Sequence, residues 1–185
     1  MQNLRFIKSE GIVISRTNYK EGDRLVKLFS KNYGKITLLA KGARKTRSRK
    51  RGSIEVFSRL KFSAYRKDGV GLLTETFLID SYSDIRKNIR KVALSYFMLE
   101  VVNNLTRIEE SSDSDCRVYE LLVSTFEEIR KRKDLRNIKK EFSTEILSIL
   151  GFWNKIKLID NPEHLIRSLT ERELNSVRVG RSLIF

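Results

Sequence analysis

The hydrophobic period of this chain changes near residue 80, and that change constrains the fold more than any other feature of the sequence. Before it, short β-rich runs alternate with turns; after it, apolar residues recur at helical spacing. The runs are Gly11–Ser15, Arg24–Ser30, Lys35–Ala40, Val56–Tyr65 and Val70–Ile79, separated by turn residues at Tyr19–Asp23, Asn32–Gly34 and Asp68–Gly69. Asp-Gly between two strand-like runs predicts a hairpin. Five short strands within residues 1–80 predict a small barrel. The OB-fold, a five-stranded Greek-key barrel that binds oligonucleotides, and an SH3-like barrel both satisfy that count.

Beyond residue 80 the period is 3.6. Ile85, Ile89, Val92, Tyr96 and Leu99 mark one face of a long helix, and Leu94, Phe97, Met98 and Val101 around it predict burial on most sides. Val118, Leu121, Leu122, Thr125, Phe126 and Ile129 form a stripe after Ser112-Asp113, and Leu135, Ile138, Phe142, Ile146 and Ile149 form another that ends at Gly151. Thr170 with Glu173 has capping-box spacing for a last short helix. With nine Gly and one Pro there is no Pro- or Gly-rich linker, so the boundary is placed at Asp80 to Asp84. The expected architecture is α+β with two domains: a five-stranded OB-type barrel over residues 1–80 and an α-helical bundle over 81–185.

The charge divides unevenly between these halves. The whole chain has 38 Lys and Arg against 23 Asp and Glu, a net +15; residues 1–80 hold 19 against 7, and residues 81–185 hold 19 against 16. A polyanionic partner is implied, nucleic acid before a membrane surface. The densest run is Lys41 to Gly52, with Lys41, Arg44, Lys45, Arg47, Arg49, Lys50 and Arg51 and no acid. Self-repulsion predicts an extended, solvated loop, and backbone phosphates are its natural counter-charge, since each one neutralised releases condensed counterions. Tyr19, Tyr33 and Tyr65, in or beside turns, are candidates for stacking on bases, whereas Phe29, Phe57, Phe62 and Phe77 lie in apolar runs and are expected in the core.

Groups suited to catalysis are scarce. The single His164 follows Pro162 near the start of a short helix, and the single Cys116 sits in a helical stripe as a small apolar filler. Gly34-Lys35 is followed by Ile36 and lacks the spacing of a phosphate-binding P-loop. Glu109-Glu110 and Asp113 to Asp115 lie in a Ser-rich connector, where capping and solubility explain them. One cysteine cannot build a zinc site from paired cysteines, so no metal or other cofactor is expected. No window holds the roughly 18 uncharged apolar residues of a membrane span, and the expected location is cytoplasmic.

The order of motifs resembles the RecO family of bacterial DNA repair proteins. The similarity starts at Gly11-Ile12-Val13-Ile14, runs through Tyr19 to Leu25 and Leu28-Phe29-Ser30, and is most specific at Tyr33-Gly34-Lys35-Ile36-Thr37-Leu38-Leu39-Ala40-Lys41-Gly42-Ala43-Arg44. Ser48-Arg49, Arg51-Gly52, Leu72 to Glu75, Ala93 to Glu100 and Phe142 to Phe152 follow in the family's order. Many members carry a four-cysteine zinc ribbon after the last of these segments; here Trp153 and a short helical tail follow instead, so the resemblance brings no zinc with it. It implies an OB-fold that binds single- and double-stranded DNA, anneals complementary strands without ATP, and works with RecR to load RecA on DNA coated by single-strand binding protein. It also implies action at the nucleoid, a helical domain that docks the acidic C-terminal tail of single-strand binding protein, and no catalytic site. On that reading the basic run follows phosphates, with Arg24, Lys27 and Lys35 on adjoining strands as further contacts.

A second basic cluster, Arg130 to Lys133 with Arg136, Lys139 and Lys140, is a candidate for an acidic tail or a second DNA segment. Two other classes compete with the mediator: an RNA-binding assembly protein using the same barrel, and a small metal-dependent nuclease or nucleotidyl transferase.

Overall fold

The computed structural model describes residues 5–67, 69–107, 113–153 and 161–170. Five strands, β1 (Arg5–Tyr19), β2 (Asp23–Ser30), β3 (Gly34–Ala40), β4 (Arg59–Arg66) and β5 (Gly71–Asp80), close into a barrel in the order β1-β2-β3-β5-β4. Neighbours are antiparallel except β3 and β5, which pair in parallel at Leu38–Gly71 and Leu39–Leu72. Alternation builds the core: Val26 and Leu28 of β2, Ile36 and Leu38 of β3, Leu60 and Phe62 of β4 are buried together.

Strand β1 is three times the length of the Gly11–Ser15 run because it serves two neighbours. Arg5–Ile12 pairs with β4 and Gly11–Tyr19 with β2, so its polar ends are held by backbone bonds that no hydrophobic pattern announces. Gly11, Ile12, Val13 and Ile14 are buried in succession, Val13 in the barrel core and Ile12 outside it, and the register with β2 shifts between Val13 and Ser15. Strand β4 begins at Arg59, not at Val56; Val56 and Phe57 belong to a turn.

The helices are α1 (Ile89–Leu105), α2 (Asp113–Lys131), α3 (Leu135–Ile149) and α4 (Pro162–Thr170). Ile85 lies in a separate 3-10 turn, Ile85–Lys87, and the Asn88 side chain caps α1 by accepting from the backbone N–H groups of Arg90 and Lys91. The buried face of α1 carries Leu94, Phe97, Met98, Val101 and Val102; Ile89 and Tyr96, expected on that face, are exposed. On α2 and α3 the stripes lie as expected, with Leu122, Phe126 and Ile129, and Ile138, Phe142 and Ile146, buried. Helix α3 ends where Gly151 takes φ +77°, the Phe152 N–H reaching the Leu147 carbonyl at 2.9 Å and the Gly151 N–H that of Ser148 at 3.2 Å. Thr170 is the last residue of α4, its hydroxyl donating to the Arg167 carbonyl, and the helix expected after it, with Glu173, lies outside the described residues.

The chain divides into two compact units, Met1–Ser81 with Arg107–Tyr119, and Tyr82–Thr106 with Glu120–Phe185. The expected single cut after residue 80 therefore misses a segment, since the start of α2 groups with the barrel. Tyr119 shows why: its hydroxyl donates to Glu10 of β1 at 3.1 Å and accepts from Arg59 of β4 at 3.1 Å.

Candidate nucleic-acid interface

Residues 41–58 connect β3 to β4, and the acid-free basic run is the first part of this connection. It is folded, which corrects the expectation of an extended loop. Successive turns are closed by N–H bonds from Lys45 to the Gly42 carbonyl (3.1 Å), Ser48 to Lys45 (3.0 Å), Arg51 to Ser48 (3.3 Å) and Ile54 to Lys50 (3.2 Å). The ladder is tied to the β1–β2 turn by the Arg44 N–H on the Gly22 carbonyl (2.9 Å) and the Gly42 N–H on the Asp23 carboxylate (2.8 Å). Its apolar residues Ala43, Ile54 and Phe57 are buried, and Phe57 holds a left-handed φ of 77° while its N–H donates to the Val13 carbonyl and the Val13 N–H donates to the carbonyl of Ser58. Burial of these anchors offsets the mutual repulsion of the cations.

On this ladder Lys41, Arg44, Lys45, Arg47, Arg49 and Arg51 are exposed. Lys50 is half-buried, donating to the Leu73 carbonyl at 2.8 Å, and burial pushes its pKa down. The strand candidates behave differently. Lys27 is half-buried. Lys35 is 5% exposed, its pKa pushed down to about 8 by burial and the nearby Lys27 charge, which removes it from any surface row of phosphate contacts. The Arg24 side chain is 14% exposed and 3.6 Å from Glu55, with its Nε and Nη1 unbonded. Burial and then the charges of Arg16, Arg51 and Arg44 lower its pKa, against the pull of Glu55. Arg16, a neighbour that sequence reading missed, donates directly to Glu55. Its only signal was register: Arg24 pairs with Asn18, which puts Arg16 diagonally across from it.

Among the aromatics, Tyr19 and Tyr65 are exposed while Tyr33 packs partly buried against the barrel core. Tyr65 is paired with the exposed Phe6, ring centroids 5.0 Å apart. Phe29, Phe57 and Phe62 are buried as expected, but Phe77 is 70% exposed, and the expectation of a core position is overturned. A bulge is the reason. Ala64 pairs with Leu73 but Ser63 with Glu75, so Thr74 is an extra residue, and its hydroxyl donates to the Ser63 carbonyl. Beyond it the parity of β5 inverts, turning Phe77 outward.

In the helical unit the second basic cluster is largely engaged in internal pairs. Arg130 donates to Asp84 (2.9 Å) and Glu127 (3.1 Å) and lies over the Tyr82 ring; Arg132 donates to Glu128 and Glu141. The Arg130 hydrogen bond holds the Asp84 carboxyl below its usual range, against a smaller opposing effect of burial. Lys139 is 3% exposed, donates to Glu163 at 2.8 Å and sits over Phe97, so it cannot dock a partner at the surface. Arg136 and Lys140 are exposed. His164 is exposed on α4, Cys116 is half-buried, and Asp115 is buried against Gly34, whose missing side chain its carboxylate replaces. Glu109 and Glu110 lie outside the described residues. Among the described residues no three His, Cys, Asp or Glu gather as metal ligands, and no helix is long and apolar enough to cross a membrane.

The family model described as Recombination protein O N terminal matches residues 1–82, the barrel with its basic ladder. Over this barrel the chain is similar to the RecO family. A DNA repair protein RecO of Listeria monocytogenes serotype 4b is similar to the chain, 30% identical over 146 residues, 79% of this chain and 56% of the relative. Proteins of the same name from Halalkalibacterium halodurans (27% over 146 residues, 79% and 56%) and Geobacter metallireducens (29% over 145 residues, 78% and 58%) are similar to it as well. The chain spans a little over half the length of these curated relatives.

Proposed function

We propose that this chain is a DNA-binding protein of DNA repair and acts as a recombination mediator: it binds single and double strands, anneals complementary ones without ATP and, with RecR, helps RecA onto DNA coated by single-strand binding protein. It acts in the cytoplasm, at the nucleoid. The observation that carries this reading is the folded ladder of residues 41–52, which presents six exposed cations with no acid among them. Cations on pre-folded turns lose little conformational freedom on meeting a backbone, and each phosphate neutralised adds sequence-independent affinity. Annealing needs that neutralisation and exposed bases, not a base-edge code. Lys131, Lys133, Arg136 and Lys140, exposed in the helical unit, are candidates for an acidic protein tail.

The test is annealing of complementary oligonucleotides, bare and coated with single-strand binding protein, at near-physiological salt without ATP. Reversal of Arg44, Arg47, Arg49 and Arg51 to Glu should weaken DNA binding by at least about a hundredfold and abolish annealing, with the thermal melting curve unchanged. Normal annealing by a folded reversal variant would refute the reading. Strong binding to structured RNA with no DNA annealing would replace it with an RNA-assembly role.

A further inference from the structure

We infer that a groove on the barrel, lined by the exposed ring of Phe77, takes a single strand of nucleic acid, one base stacking on that ring while the cations around it hold the phosphates. This rests on the nucleic-acid reading above and goes beyond it, because the groove lies on β1, β4 and β5, and only Arg49 and Lys50 belong to the basic ladder.

The groove encloses about 960 Å³, at the upper end of what a small-molecule site occupies, and so has room for a length of chain. Its cations are Lys8, Lys31, Arg49, Lys50, Arg59 and Lys61; its acids are Glu10 and Glu75. Glu10 is already neutralised. Burial would raise its pKa, but hydrogen bonds from Arg59 and Tyr119, with the charges of Arg59 and Lys61, hold it below its usual value, and the Arg59 bond is 2.8 Å. The field left in the groove is positive, complementary to a phosphate backbone.

Phe77 supplies what electrostatics alone cannot. It is 70% exposed on β5, directly across the ladder from Lys61 of β4, whose side chain is 65% exposed. A phenyl ring held out by a strand, with an ammonium on the same face of the sheet, matches a nucleotide: the ring takes the base and the ammonium its phosphate. Both faces of a paired base are covered within a duplex, so only an unpaired base can lie on the ring. The hydroxyls of Ser63, Thr74 and Thr76 line the same groove and give a base edge polar neighbours without a fixed code. Because Arg49 and Lys50 border both the groove and the ladder, a strand held on one runs onto the other. That continuity favours nucleic acid over an acidic peptide as the occupant.

The experiment compares the full chain with Phe77→Ala and Phe77→Trp, using a thymidine run of about 20 nucleotides and a duplex of the same length at one salt concentration. Phe77→Ala should weaken single-strand binding by about tenfold, leave duplex binding within about twofold and leave the dependence of affinity on salt unchanged, because no phosphate contact is lost. Phe77→Trp should keep single-strand affinity and add a fluorescence signal, absent from the unsubstituted chain with its lone Trp153, that the thymidine run quenches. Equal losses on both DNA forms, no quenching at Trp, or displacement of the strand from the groove only by an acidic peptide would overturn the inference. If the four-arginine reversal abolishes binding while Phe77→Ala leaves single-strand affinity intact, the groove falls and the phosphate-binding ladder stands.

Discussion

Lys35 holds an ammonium at 5% exposure on β3, and burial, aided by the Lys27 charge, pushes its pKa down to about 8 from an ordinary 10.5. Between those two values the unfolded chain binds more protons than the folded one, so stability rises with pH across that window and the full penalty is present below pH 8. Lys35→Met should therefore raise the melting temperature at pH 7, by up to about 3 kcal/mol in stability, with the advantage shrinking from pH 8 and vanishing above about 10.5. A difference independent of pH would show that the cost lies elsewhere. Glu55 presents a second residue-scale case. Its carboxylate occupies Arg16 and stands 3.6 Å from Arg24, whose Nε and Nη1 are otherwise unbonded, so it stands where a phosphate would. Glu55→Gln should tighten DNA binding about three- to tenfold and steepen its salt dependence, read by titration at several ionic strengths. Weaker binding would mean that Glu55 serves to order the arginines.

At the scale of elements, the basic ladder is held in place by residues unlike those that give it its charge. Ala43, Ile54 and Phe57 bury into the barrel and the Lys50 amine crosses to β5, so the cations are displayed by a segment that cannot swing freely. The charge of this segment was plain in the sequence, but its conformation depends on a backbone exchange with Val13 more than 40 residues earlier. Helices α3 and α4 are joined by an ion pair between buried Lys139 and half-buried Glu163, the ammonium also lying over Phe97. Burial lowers the Lys139 pKa and Glu163 opposes the shift. Removing only the acid leaves a buried cation without its counter-charge. Glu163→Ala should thus cost about 3 kcal/mol in urea unfolding, while Lys139→Met, which keeps the stem packed against Phe97, should cost clearly less. The reverse order would show that the ammonium itself holds the helices.

For the whole molecule, the two halves of the sequence carry different electrostatic loads. Residues 1–80 have an excess of 12 basic residues and 81–185 an excess of 3, and in the helical unit Arg130, Arg132 and Lys139 are paired with acids. DNA affinity and its salt dependence should therefore belong to the barrel unit. Reversing Arg136 and Lys140 to Glu in the full chain should change DNA affinity by less than about threefold, against the large loss from reversing the ladder. A comparable loss from both would place a DNA path on the helices too.

The sequence by itself determined the change from a two-residue to a 3.6-residue period, hence a barrel followed by helices, and it placed the basic run and the Gly34 to Arg44 block that mark the family. It also located the stripes of α2 and α3, because a helix with one apolar side has one way to face its core. What it left undecided is which polar residue is covered and which apolar one is not. Lys35 stands on β3 at the opposite parity to the barrel-core residues Ile36 and Leu38, and Lys139 lies in a basic stretch of α3, yet both are buried, because tertiary packing covers them. Phe77 shares the parity of buried Leu73, and without the extra residue at Thr74 it would face inward as well. A strand has two faces related by a single residue step, so one bulge reverses every assignment beyond it. That bulge is made by the pairing of β4 with β5, which is why the aromatic ring lining the groove became visible only in the folded chain.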